Sequence, residues 1–406
     1  ALCVKPSDGS GDFDFSRNSA ATRVNAQGLV ENVQILSSNL VQNGDFSELG
    51  SEEVSNGSFS QEGVELVTNG SFDTDSDWIK GTGWSISGGA ANCDGVSATS
   101  NLSQVITSFS GKTFLVEGSA SNVSQGFAYI SLGGTDLQIV VNSSGSFKHY
   151  VTISSGNSTL FISARNNFIG SIDNVSVKEV GQDWELGGEA TIGENKLILS
   201  GDASTSAYVI QNNVFSSGKT YKCVFDVTIN SGLGIKFQDG LAYNPHNQNI
   251  GLATTSGIYT IYFTSTTYNQ LVISRDNGAQ AYDSSITNIS VKEVDPNDYW
   301  TLNSGWSIGD DEVVAVSGAS TKLIQSISGL SGKKCSVTFT LSNYGGNGTV
   351  KLDFGSVVGQ NINANGTYTE VGTYDIDRLE FFKNSAFSGS ITNISVIEIT
   401  DDTNLP

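Results

Sequence analysis

Few residues in this chain could carry chemistry. Its two histidines, His149 and His246, fall in different segments at non-equivalent positions. No Gly-x-Ser-x-Gly nucleophile turn is present. Gly111-Lys112-Thr113 and Gly218-Lys219-Thr220 lack the upstream glycine of a phosphate-binding loop and read as hairpin turns. Acidic residues number 41, yet no pair is placed by pattern for glycoside hydrolysis. The expectation is a protein that is not an enzyme and requires no cofactor. The four cysteines, Cys3, Cys93, Cys223 and Cys335, form no C-x-x-C pair and read as small buried hydrophobes. Aromatic side chains remain, because the CH faces of a sugar ring stack on them. Trp84, Trp306, Tyr243 and Tyr268 are the candidates. Trp78, Trp184 and Trp300 recur at one register, which points to a shared core role. Trp84 and Trp306 align with Ala190, and a position that varies between repeats is the better ligand candidate, with a structural role as the alternative reading.

The elements that must position these residues are repeats. Ile172-Asp173-Asn174-Val175-Ser176-Val177-Lys178-Glu179-Val180 returns as Ile286–Val294 and again as Ile391–Ile399. Each copy alternates apolar and polar residues and reads as a half-buried strand closing one of three units. Shared landmarks lie inside the units. The Gly-Lys turns are followed by alternating strands, Gly145-Ser146-Phe147, Gly257-Ile258-Tyr259 and Gly366-Thr367-Tyr368 open further strands, and Leu160, Leu271 and Leu379 lead others. A shorter repeat precedes the units. Val41-Gln42-Asn43-Gly44-Asp45-Phe46 recurs at Val54–Phe59 and Val67–Phe72, in steps of 13 residues. Asn-Gly is a turn signal, since both residues tolerate positive φ. The last copy opens the first unit, and the first two read as redundant opening strands forming a ladder or a linker.

This pattern predicts an all-β chain of three tandem antiparallel β-sandwich (jelly-roll-like) domains after an N-terminal β-rich anchoring segment. The expected divisions are 1–38, a docking segment; 39–65, the 13-residue repeats as a linker; then sandwiches over 66–180, 181–294 and 295–406. Composition agrees: 46 glycines, 4 prolines and 15% charged residues in 406. The net charge of −21 argues against nucleic-acid and anionic membrane partners. No apolar run is long enough for a transmembrane helix. Ala1-Leu2-Cys3-Val4-Lys5-Pro6 lacks a charged start and an apolar centre, so the expectation is cytoplasmic synthesis without a signal peptide.

Two resemblances follow. Asn69-Gly70-Ser71-Phe72, Trp78 and the closing strand at 172–177 resemble the opening and closing strands of jelly-roll carbohydrate-binding modules. That likeness implies a structural Ca²⁺ in the first sandwich, for which Asn69, Asp73 and Asp173 offer hard oxygen ligands. Thr287 and Thr392 replace Asp173 in the other units. The run from Asp12 to Glu31, followed by the Asn-Gly-x-Phe repeats, resembles a segment of structural proteins from tailed phages, especially marine ones. It implies a virion protein made in the host cytoplasm and carried on the particle surface. The implied partners are other capsid or tail proteins, with Phe13, Phe15, Arg17 and Arg23 as docking residues. A homo-oligomer, with a trimer as the expected state, fits a projecting protein, although no heptads support it. The alternative is an adhesin that binds host surface carbohydrate.

Overall fold

A computed structural model describes residues 22–24, 30–32, 34–95, 99–107, 110–132, 138–153, 158–240, 249–276 and 280–401. The fold is all-β, in tandem antiparallel sandwiches of jelly-roll type. The chain divides into two compact units, Ser51–Glu293, and Ala1–Gly50 with Val294–Pro406. The second and third sandwiches each pair two sheets. In the second, strands 185–188, 207–211, 271–275, 235–238 and 249–253 form the front sheet, in that order. Strands 190–193, 196–201, 282–294, 220–231 and 257–264 form the back sheet. The third repeats this with 300–302, 321–326, 378–383 and 350–353 in front, and 306–308, 313–315, 389–401, 334–342 and 366–373 behind. In the first sandwich two long strands, Thr113–Leu132 and Thr159–Val180, bend from one sheet into the other, with bulges between Glu117 and Ser119 and between Ser121 and Phe127.

The short N-terminal repeats are not a linker. They close the sandwiches, in reverse order. Each closing strand is only half covered along one edge by its neighbouring hairpin. The hairpin strand reaches residues 169–172 in the first sandwich, 282–286 in the second and 389–391 in the third. The other half of that edge is taken by an Asn-Gly-x-Phe segment. The Val175 amide donates to the Gly70 carbonyl (2.9 Å), Ile289 to Gly57 (2.9 Å), and Ile394 to Gly44 (2.8 Å). One step along, the Leu66 amide donates to Val177, Glu53 to Val291, and Leu40 to Val396. So 67–72 completes the first sandwich, 54–59 the second and 41–46 the third. Ranges 181–294 and 295–406 therefore lack a strand that lies far upstream in sequence.

A left-handed asparagine marks the junction of hairpin and segment: Asn174, Asn288 and Asn393, with φ of 53°, 52° and 53°. In the first and third sandwiches it coincides with a one-residue register shift, a β-bulge that turns the next carbonyl toward the segment. A Cβ added to Gly70, Gly57 or Gly44 would lie 1.9, 2.0 or 2.1 Å from that carbonyl oxygen. The glycine is thus required by close approach and not by its φ. The left-handed residues of each turn are Asn69, Asn56 and Asn43, and Phe72, Phe59 and Phe46.

Side chains lock the segment in place. Phe72, Phe59 and Phe46 are each 1% exposed and lie 5.1, 5.2 and 5.0 Å from Trp78, Trp184 and Trp300. Each indole Nε1 donates to the carbonyl of the turn asparagine, at 3.1, 3.2 and 3.0 Å. Gln104, Gln211 and Gln325 each clamp the backbone of the residue before that asparagine through two hydrogen bonds. Burying such a phenylalanine contributes about 2–3 kcal/mol. The Gly-Lys turns add an ion pair to each closing strand: Lys112–Glu179 at 3.4 Å, Lys219–Glu293 at 2.8 Å and Lys333–Glu398 at 2.7 Å. The lysines of these pairs reach into solvent, which screens the attraction.

At the N-terminus, Thr22–Val24 pairs antiparallel with Val30–Asn32, and Gln34–Leu36 pairs with Ile399–Asp401 at the end of the third sandwich. Two outcomes are expected. A fragment of residues 181–293 should give no cooperative melting transition, and fusing residues 51–61 to it should restore one. In the whole chain, Gly57→Ala should cost the second sandwich about 1–3 kcal/mol through overpacking, read as faster amide exchange over 286–294 than over 172–180.

Candidate functional site

Strand alternation places Trp84 and Trp306 inward. Both are 6% exposed, so neither can stack on a sugar. The Trp84 Nε1 donates to the Ser100 carbonyl at 3.3 Å and its ring lies 6.2 Å from Phe168. Ala190, at the same register, is buried too. The variation among Trp84, Ala190 and Trp306 is therefore a difference in core filling. Tyr268 is half-buried over Gly240, with its ring 3.0 Å from where a Cβ would sit. Tyr243, His246, Cys3, Phe13, Phe15 and Arg17 lie outside the described residues. Arg23 stands on the strand Thr22–Val24, opposite Glu31.

Asn69, Asp73 and Asp173 are each engaged locally. The Asn69 amide donates to the Thr74 and Ser76 carbonyls, Asp73 accepts from the Ser71 hydroxyl, and Asp173 accepts from the Asn174 backbone and side-chain amides. Among the described residues no group of three or more His, Cys, Asp or Glu is placed to hold a metal ion. Cys93, Cys223 and Cys335 are all buried. Burial pushes the Cys335 thiol up to about 11, so it stays protonated at neutral pH.

The structure gathers a different set of residues on one outer face of the first sandwich, across strands 79–80, 100–105, 138–141 and the 127–132 and 159–165 parts of the two long strands. Inward residues Ala128, Ile130, Leu160, Ile162 and Ala164 are almost completely buried. Their neighbours therefore point outward. Tyr129 stands opposite Ser163 and Val140, Phe161 opposite Ser131 and Ser103, and Phe127 opposite Arg165, while Ile79 flanks Ser103 at the edge. Phe127 and Tyr129 meet edge-on at 4.8 Å. The Arg165 guanidinium lies 5.8 Å from the Tyr129 ring centroid, a cation–π distance. Among the described residues Arg165 forms no salt bridge with a carboxylate. Ile79 and Val105 are about 70% exposed along the same face. Aromatic rings and one guanidinium on this face can stack on a pyranose and hydrogen-bond its hydroxyls, whereas Ser103 and Ser163 are themselves buried. Period-two alternation marks these residues as outward, but only pairing of five strands brings them together.

The matching face of the third sandwich is chemically closed. There the Lys322 ammonium pairs with Asp353 at 3.0 Å and with Glu380, which also accepts from Arg378. Desolvation would lower the Lys322 pKa, but the hydrogen bonds to Glu380 and Asp353 outweigh it and hold it above its ordinary value. Lys351 sits 5.4 Å from the Phe382 ring. In the second sandwich Lys236 pairs with Asp276 at 2.6 Å on this face. A further cleft of 480 Å³ separates the first two sandwiches, lined by Lys148, His149, Tyr150, Thr191 and Glu194 among others.

No family model matches this chain, and no curated protein matches it. Solved structures similar to it include the tandem CBM22 domain from Paenibacillus barcinonensis, with 9% identity over 58% of this chain and 98% of that one and a TM-score of 0.24. A structure of Sulfolobus Turreted Icosahedral Virus matches with 12% identity over 80% of this chain and 90% of that one, at a TM-score of 0.22. The tandem CBM51 modules of a family 98 glycoside hydrolase from Streptococcus pneumoniae match with 10% identity over 65% and 100%, at 0.19. At these scores no argument rests on the likeness.

The two classes of aromatic should separate by mutation. Trp84→Ala is expected to destabilise the first sandwich by about 3–5 kcal/mol. Tyr129→Ala should cost under about 1 kcal/mol. Chemical denaturation of the whole chain, followed by amide exchange in each sandwich, checks both.

Proposed function

We propose that this chain is a non-enzymatic structural protein of a bacteriophage virion, a capsid decoration, fibre or tail appendage that presents tandem sandwiches at the particle surface. The observation that carries this reading is where the recurring residues go. Asparagine, glycine, phenylalanine, tryptophan, glutamine and the Gly-Lys turn are repeated three times, and in every copy they close a sandwich. A chain whose repeated chemistry serves only strand closure is built to hold shape. The resemblance of residues 12–31 to a segment of tailed-phage structural proteins supplies the particle. Docking through that segment to capsid or tail proteins, and assembly of copies into a homo-oligomer, belong to the same reading. The net charge of −21 favours solubility at the high local concentration of a lattice.

A second reading, glycan binding to a host surface, draws on the outer face bearing Phe127, Tyr129, Phe161 and Arg165. The two readings are compatible on one particle. Mass spectrometry and cryo-electron microscopy of purified virions should find this chain in the particle, with density for projecting sandwiches. Particles complete without it would overturn the first reading. A glycan array probed with the whole chain addresses the second: any glycan bound should be lost by at least about tenfold in Tyr129→Ala and Phe161→Ala, and an array blank at every glycan rejects it.

A further inference from the structure

We propose that the three grooves filled by the Asn-Gly-x-Phe segments are interchangeable peptide sites, each able to take the matching segment of a second copy of this chain in place of its own. Each groove has the same parts. One wall is the free half of the closing strand, which offers the Val175, Ile289 or Ile394 amide and the Val177, Val291 or Val396 carbonyl. The floor is Trp78, Trp184 or Trp300, which takes the ring of the segment's phenylalanine and donates its Nε1 to the asparagine carbonyl. The clamp is Gln104, Gln211 or Gln325. The bulge carbonyl leaves room for no residue but glycine at the fourth position. These parts together select an extended Val-x-Asn-Gly-x-Phe peptide, and they do so without reading the x positions, which are Gln and Asp in one segment, Ser and Ser in the next, and Thr and Ser in the last. Adding a strand to an exposed sheet edge, with pockets for alternate side chains, is a general mode of peptide recognition.

The occupant follows from the chain itself, which carries the motif three times at a constant step. Within one copy the segment is remote from its groove: 105 residues separate Gly70 from Val175, 232 separate Gly57 from Ile289, and 350 separate Gly44 from Ile394. For a flexible chain closure entropy grows with the logarithm of that separation, so the entropic disadvantage of the chain's own segment against a competitor is greatest at the third groove. Exchange at that groove would join copies through their N-terminal segments without any new contact type.

The test uses the whole chain with a protease recognition sequence inserted between Gly50 and Ser51, cut only after folding. A fluorescent peptide of residues 37–50 should enter the cut protein at one per chain, and at the same concentration label the uncut protein far less. Peptides of residues 51–63 and 64–76 should compete within about tenfold, and a 37–50 peptide carrying Gly44→Ala should be weaker by about a hundredfold. Two differently tagged uncut chains, mixed at high concentration, should form complexes bearing both tags. A cut segment that never exchanges, equal entry of the Gly44→Ala peptide, or the absence of any mixed-tag complex would each overturn the proposal.

Discussion

A carbonyl oxygen lying 1.9–2.1 Å from where a side chain would begin is the contact on which each sandwich depends. It is made three times, and it dictates residues on both sides. On the segment it demands glycine. On the closing strand it is met by a residue that tolerates left-handed backbone, which is asparagine in all three copies, and in the first and third sandwiches by a β-bulge. Once the two backbones meet, the phenylalanine falls onto the tryptophan and the indole N–H reaches the turn carbonyl. Steric exclusion, a bulge and one aromatic pair thus form a single device.

The device also sets the connectivity. Three segments spaced by 13 residues are matched to three sandwiches in reverse order, so the chain is nested, with the outermost segment serving the last sandwich. The first sandwich is complete over a contiguous stretch. The second and third wait for strands made long before them. Contacts between residues hundreds of positions apart are slow to form, because chain entropy must be lost before they can stabilise anything. The gain is that the N-terminal part of the chain is held to the third sandwich by backbone hydrogen bonds, at Gln34–Leu36 on Ile399–Asp401 and at 41–46.

Where the sandwiches differ is on their outer sheet faces. The third fills its front face with the Lys322, Asp353, Glu380 and Arg378 network, in which Glu380 is only 1% exposed. A buried carboxylate with two cationic partners satisfies itself. The first carries Phe127, Tyr129, Phe161 and Arg165 instead, with apolar Ile79 and Val105 left in solvent. An exposed apolar face costs solubility unless something meets it.

Much of this was legible in the residues alone. Period-two alternation gave the strands, the recurrence of 172–180 gave three units, and the common register of Trp78, Trp184 and Trp300 gave their core role. These are local or periodic signals, and local backbone geometry enforces them. The pairing of the 13-residue repeats was not legible, because Val41–Phe46 and Val54–Phe59 carry no mark of which distant strand receives them. That choice belongs to the tertiary structure, through hydrogen bonds across hundreds of residues. The sequence also misdirected at Trp84 and Trp306: variation at one register looks the same whether it serves a ligand or core volume, and only burial distinguishes the two. The aromatic face of the first sandwich was hidden for the same reason. Phe127, Tyr129, Phe161 and Arg165 come from two strands, and only pairing with bulges in the right places puts them on one surface.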